Sequence, residues 1–137
     1  VRPLDMSGAI GVEQVKKLPG LIESRRTNGK LLQKKMEEHP SILIQREIGA
    51  SSWFGISLVV KPGNSLTRDQ LLANLVAAGF ECRPIVAGNF AKNEVVKYFN
   101  SEVFGELRNA QYIDDNGLFV GNHHYPIEKA IDALSRL

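Results

Sequence analysis

The sequence predicts an α+β domain: a small, mostly antiparallel sheet of about four strands with helices packed on one face. Three observations lead there. Two β-rich runs, "SILIQRE" and "SSWFGISLVVK", follow one another directly and read as a hairpin-like pair. Two shorter runs, "FECRPIV" and "LFVGN", are each reached through a helical pattern. The composition, 43% hydrophobic and 23% charged over 137 residues, is that of a single globular unit able to bury a core.

Taken in order, Asp5 or Ser7 is placed to cap a helix entering "MSGAIGVEQVKKL". That stretch has no clean amphipathic stripe, and Ser7, Gly8, Ala9 and Gly11 would let another backbone come close. "LPG" at 18–20 is expected to break the chain, with Pro19 in the first turn of a second helix ending near His39. This second helix directs Leu21, Ile22, Leu31, Leu32 and Met36 to a core and Arg25, Arg26, Lys30, Lys34 and Lys35 to water. The strand "SILIQRE" is bounded by Pro40 and Gly49, and "SSWFGISLVVK" ends at the turn "KPGNS". Thr67 caps "TRDQLLANLVAAG", whose Leu71, Leu72, Leu75 and Val76 share a face and whose Gly79 ends the helix. "FECRPIV" follows as a third strand, then an irregular stretch over 87–93 and a short helix near 94–99. "NAQYIDDN" is helical, "LFVGN" is the fourth strand, and Pro126 opens a last helix bearing Ile127, Ala130, Ile131 and Leu134 on one side.

Composition excludes several classes. A net charge of +2 with no clustered basic face gives no case for nucleic acid, because the basic run at 25–35 is flanked by Glu23, Glu37 and Glu38. A single cysteine, Cys82, rules out an internal disulfide framework and favours a cytoplasmic setting. No apolar run is long enough to span a membrane, and no signal peptide opens the chain. The opening "VRPLDMSG", without an initiator methionine, suggests a domain of something longer.

Three places depart from a plain core and surface. In "SSWFG", adjacent Trp53 and Phe54 would point to opposite faces of a strand, one into the core and the other needing cover or a ligand. In "FECRPIV", alternation puts Phe80 and Cys82 on one face and Glu81 and Arg83 on the other. These two charges form either an exposed ion pair or a polar site, since a guanidinium suits phosphate and hydroxyl recognition. In "GNHHYP", Asn122, His123 and His124 follow a strand end, where loops carry function. Zinc-ligand spacing, a dinucleotide fingerprint, a P-loop and a nucleophile elbow are all missing, so no metal site is expected.

The stretches "VRPLDMSGAIGVEQVKKLPGLIESRR", "SSWFGISLVVK", "GFECRPIVAGNFAKN" and "NAQYIDDNGLFVGNHH" resemble the C-terminal part of the DegT-like family. These are fold-type I nucleotide-sugar aminotransferases and dehydratases that depend on pyridoxal phosphate. "ECRPI" and "FVGNH" are closest to its sugar 3-dehydratases, and the resemblance runs over nearly the whole chain.

The resemblance implies that residues 1–137 are one small C-terminal domain closing the substrate side of a cleft. Pyridoxal or pyridoxamine phosphate and the active-site base would belong to a large N-terminal domain, and the active site would be shared across a homodimer. No catalytic or coenzyme-binding residue is therefore expected in this chain, which alone should not turn over. Substrate-binding roles fall on Glu81, Arg83, Arg2, His123 and Asn122, with a nucleotide sugar as partner. Glu81 would hold a sugar hydroxyl and Arg83 the hexose or phosphate side, while Cys82 becomes a packed, inert thiol. The implied reaction removes the C3 hydroxyl of a 4-keto-6-deoxyhexose in deoxysugar and lipopolysaccharide synthesis. The alternatives are a sugar 4-aminotransferase domain or a stand-alone ligand-binding module. A domain of a larger enzyme should also leave apolar surface uncovered near "MSGAIG" and "SWFG".

Overall fold

The computed structural model describes residues 4–137. In chain order its elements are α1 (Asp5–Met36), β1 (Ile42–Ile44), β2 (Gly55–Val60), α2 (Arg68–Ala77) and β3 (Cys82–Pro84). Two short 3-10 turns, Phe90–Lys92 and Glu94–Tyr98, then lead to α3 (Arg108–Asn116), β4 (Gly117–Gly121) and α4 (Glu128–Leu134). The sheet order is β1-β2-β4-β3 with every neighbour antiparallel, as the α+β reading expects.

Period-2 alternation divides the two faces of this sheet. Ile56, Leu58 and Val60 of β2 and Leu118 and Val120 of β4 are buried on one face. Against them pack Leu32 and Met36 of α1, Leu71 and Leu75 of α2, and Ile131 and Leu134 of α4. The other face carries Leu43, Val59, Ser57, Phe119 and Arg83, all half-buried or exposed. Helix α3 contacts β2 and β4 and buries no residue fully; its Tyr112 hydroxyl donates to the Val60 carbonyl at 2.9 Å.

Helix α2 forms as its sequence dictates. Thr67 and Gln70 make a reciprocal capping box, Gln70 N–H donating to Thr67 Oγ1 at 3.2 Å and Thr67 N–H to Gln70 Oε1 at 2.9 Å. At its other end Gly79 takes φ +85°, and Phe80 N–H returns to the Leu75 carbonyl at 2.9 Å. That turn aims the chain into β3 and so positions Glu81 and Arg83.

Several expectations are corrected. The break at Pro19 does not occur, and α1 runs unbroken through it. Pro19 cannot donate to the carbonyl one turn earlier, that of Val15, but this part of the helix is exposed, so that carbonyl is not buried without a partner. Neither Asp5 nor Ser7 caps: the helix starts after Leu4, with Asp5 in its first turn where its charge suits the dipole. Strand β1 stops at Ile44, because the Gln45 side chain replaces the ladder. Its Nε2 donates to the Gly55 carbonyl at 2.8 Å and its Oε1 accepts from Ser57 N–H at 2.6 Å. Trp53 and Phe54 lie outside β2, since Trp53 turns the backbone to φ +50°. Arg25 and Arg26 are half-buried and do not face water; Arg26 donates to the carbonyls of Ser51 at 2.9 Å and Ala50 at 3.2 Å. Val76 is 58% exposed, so α2 packs through Leu71, Leu75 and, partly, Leu72.

Candidate functional site

Trp53 is the anchor from which the site is built. Its side chain is 2% exposed and lies on Gly29 of α1, where a Cβ would sit 2.5 Å from Trp53 Cγ. The left-handed backbone at Trp53 costs about 1–3 kcal/mol; burying the indole offsets it by a similar amount. The turn throws Phe54 outward, leaving it 71% exposed on the open side. There its ring centroid lies 6.3 Å from that of Phe119, and the Arg25 guanidinium carbon lies 5.8 Å from its centroid. Phe119 itself lies over Gly55, where any Cβ would meet its ring at 2.0 Å.

The register places Arg83 directly opposite Phe119 and Cys82 opposite Val120. Arg83 therefore joins the open face while Cys82 turns to the core, and burial pushes the Cys82 thiol up, keeping it protonated. Glu81 precedes the strand on Arg83's side. Both charges are exposed, and among the described residues neither forms an ion pair. An exposed pair bonded to itself is not what the structure shows.

Glu81, Arg83 and His123 line one groove of about 870 Å³ between the free edge of β3, the end of β4 and α4. Phe54, Phe119 and Tyr125 supply aromatic wall, and Lys129 lies on the rim. A concave apolar surface with a few convergent polar groups is the usual form of a small-molecule site. Asn122 is not at its surface. It is 5% exposed, donates from Nδ2 to the carbonyls of Trp53 at 2.8 Å and Arg25 at 3.0 Å, and accepts at Oδ1 from Asn28 at 3.2 Å. It braces the groove from beneath. Arg2 lies outside the described residues.

The far wall carries Val86, 90% exposed, on the segment after β3. That segment is latched to α3. Gly88, at φ +50°, passes so close to the Asp114 carboxylate that a Cβ would lie 1.9 Å from its Oδ1. Lys92 Nζ donates to Asp114 at 3.0 Å and Asn89 Nδ2 to Gln111 at 3.2 Å. The Lys92 hydrogen bond, foremost, holds the Asp114 carboxyl below its ordinary value.

Asn28, Arg25 and Asp114 were not singled out by sequence reasoning. For Asn28 a signal exists: "TNGK" puts two poor helix formers side by side in a helical run. For Asp114 none does, because its partner Lys92 lies 22 residues away across an irregular segment. Among the described residues no helix is long and apolar enough to cross a membrane.

Comparison with known proteins adds to this geometry. The model of the DegT/DnrJ/EryC1/StrS aminotransferase family matches residues 2–131. A GDP-4-keto-6-deoxy-D-mannose 3-dehydratase from Yersinia pseudotuberculosis is 53% identical over 135 residues, 98% of this chain and 34% of that protein. The solved structure of the Escherichia coli GDP-4-keto-6-deoxy-D-mannose-3-dehydratase with bound hydrated pyridoxal phosphate superposes with a TM-score of 0.94 at 52% identity. It matches 99% of this chain and 35% of that one. A mutant GDP-4-keto-6-deoxymannose-3-dehydratase with bound GDP-perosamine has the same TM-score and identity, over 99% of this chain and 36% of its own. The chain thus spans about a third of the length of the relatives it matches.

Proposed function

Because the chain belongs to the DegT/DnrJ/EryC1/StrS aminotransferase family, we propose that it is the substrate-side C-terminal domain of a nucleotide-sugar 3-dehydratase. Its substrate is a GDP-linked 4-keto-6-deoxyhexose, from which the C3 hydroxyl is removed on the way to a lipopolysaccharide deoxysugar. The observation that carries this reading is the 53% identity to a 3-dehydratase over 98% of the chain. The convergence of Glu81, Arg83 and His123 on one groove supports it. The whole enzyme works as a cytoplasmic homodimer.

The groove does not fit the coenzyme. Its lysine, Lys129, is exposed on the rim, and no buried cationic cradle for a phosphate lines it. Pyridoxal or pyridoxamine phosphate therefore belongs to the part of the longer protein that this chain does not cover. When bound there, it supplies the electron sink for the C3 elimination.

This chain's residues bind and orient. The Arg83 guanidinium, without an ion-pair partner among the described residues, donates to the hexose or its phosphate. The Glu81 carboxylate accepts from a sugar hydroxyl, and His123 borders the same space. Asn122 acts through the backbone it holds, and Arg2 completes the substrate side. Phe54 and Phe119 give the groove an apolar wall beside these polar groups.

The test is product analysis with the full-length enzyme, pyridoxamine phosphate and GDP-4-keto-6-deoxymannose. Mass spectrometry is expected to show a sugar that has lost its C3 oxygen. A sugar that instead gains an amine at C4 overturns the dehydratase reading in favour of an aminotransferase. The 137-residue chain alone is expected to form neither product; enzyme-like turnover by it contradicts the assignment.

A further inference from the structure

The loop after β4 is exposed, yet its backbone is held from inside the protein. Asn28, 4% exposed on α1, donates from its side-chain amide to the carbonyls of His123 at 3.0 Å and Tyr125 at 2.9 Å. The same amide reaches Asn122 Oδ1 at 3.2 Å, and Asn122 in turn holds the carbonyls of Arg25 and Trp53. Asn is a poor helix former and Gly29 beside it is poorer. Its place in mid-helix therefore weakens α1 locally, and the compensation lies in these loop bonds.

Capturing carbonyls 123 and 125 brings the His123 and Tyr125 rings together, with centroids 4.7 Å apart and planes 21° apart. His124 packs edge-on to the same phenol at 5.6 Å and 77°. Tyr125, backed in this way, remains 50% exposed and lines the groove beside Ile127. Resting on the nucleotide-sugar reading above, the geometry points to Tyr125 as the platform on which the deoxyhexose ring lies, and to Asn28 as the positioning residue that holds it there. A 6-deoxyhexose has an apolar C–H face and a methyl group, which suit a flat aromatic wall. Its hydroxyls would meet Glu81 and Arg83, which line the same groove. A half-exposed aromatic wall beside a few polar groups is a common recognition element.

The test is calorimetric titration of the full-length enzyme with GDP-linked 6-deoxymannose and with GDP alone. The sugar-dependent gain in affinity is the readout. Tyr125→Leu is expected to cut that gain about tenfold, and Tyr125→Phe, which keeps the ring, by less than about threefold. Asn28→Asp, which exchanges the donating amide for an accepting oxygen, should give the tenfold loss. Combined with Tyr125→Leu it should add nothing further, as expected of residues acting through one another. An undiminished gain in Tyr125→Leu overturns the platform, and losses that multiply in the double variant overturn the positioning role. Should Asn28→Asp fail to fold, exchange of the Asn28 side-chain amide protons decides instead: protection is expected, and rapid exchange refutes the clamp. If the unmodified enzyme gains nothing from the sugar, the nucleotide-sugar reading itself fails, an outcome distinct from loss of Tyr125's part alone.

Discussion

From Asn28 to Met36, α1 buries Asn28, Gly29, Leu32 and Met36 against Trp53, the sheet and α4. From Met6 to Val15 the same helix leaves Met6, Ile10, Val12 and Val15 between 56% and 69% exposed. The backbone geometry is shared, but the two halves are stabilised differently. The second half is held by tertiary packing. The first half has helix propensity, the exposed Glu13–Lys16 ion pair and its continuity with the second, and short helices without packing are marginal in water. Its apolar side chains and Phe54 lie open to solvent in this chain; under the reading proposed above, they would meet the rest of the longer enzyme. Burial within the chain marks what the domain needs to fold.

The sharpest way to break the packed half is at its anchor. Trp53→Ala is expected to cost about 3–5 kcal/mol, the range for emptying an aromatic core site, read from urea unfolding. Gly29→Val should cost somewhat less, about 1–3 kcal/mol, because the new side chain must displace the indole. Asn122→Leu would leave the Trp53 and Arg25 carbonyls without their donor, at about 1–3 kcal/mol; full stability in that variant would show that the clamp adds nothing to the fold.

A smaller effect comes from pH. Burial, and secondarily the Lys61 charge, hold the His39 pKa below its ordinary 6.5, and its Nδ1 accepts from Ser41 N–H at 3.2 Å and Ile42 N–H at 3.1 Å. The fold therefore prefers neutral His39. Its contribution is complete above about pH 6.5 and is lost as the pH falls from there toward the lowered folded value. His39→Asn, which keeps an acceptor and cannot titrate, should flatten that part of the stability profile. The smallest expected effect is in the exposed half of α1. Ile10→Ser with Val12→Ser should change the stability of the chain, read from urea unfolding, by less than about 0.5 kcal/mol. A large loss of stability there would erase the contrast between the two halves.

Much of the architecture was legible because it is local. The Thr67–Gln70 box, the Gly79 stop and the alternation of β2 and β4 depend on residues a few positions apart. Alternation also set Glu81 and Arg83 on one face and Cys82 on the other. What was not legible depends on distant partners. Pro19 looked like a break because nothing nearby shows that the orphaned carbonyl lies on an exposed stretch of the helix. "SSWFG" looked like strand because β propensity cannot register that Gly29 opens a berth for Trp53. Arg25 and Arg26 looked solvated because the Ala50–Phe54 turn that covers them is 25 residues downstream. The groove shows the same division: Glu81, Arg83 and His123 could be chosen from alternation and a strand end, whereas Asn28 is joined to its loop across 94 or more residues.

The central claim, that the β3 edge exists to meet substrate, is tested most directly by Glu81→Gln and Arg83→Gln in the full-length enzyme, with kcat/KM and thermal midpoint measured together. Both side chains are exposed and, among the described residues, form no ion pair, so the midpoint should scarcely move. Loss of a charge-assisted contact to substrate should lower kcat/KM about tenfold to a hundredfold. Unchanged kcat/KM in both variants, or a fall matched by loss of folded protein, would contradict the account.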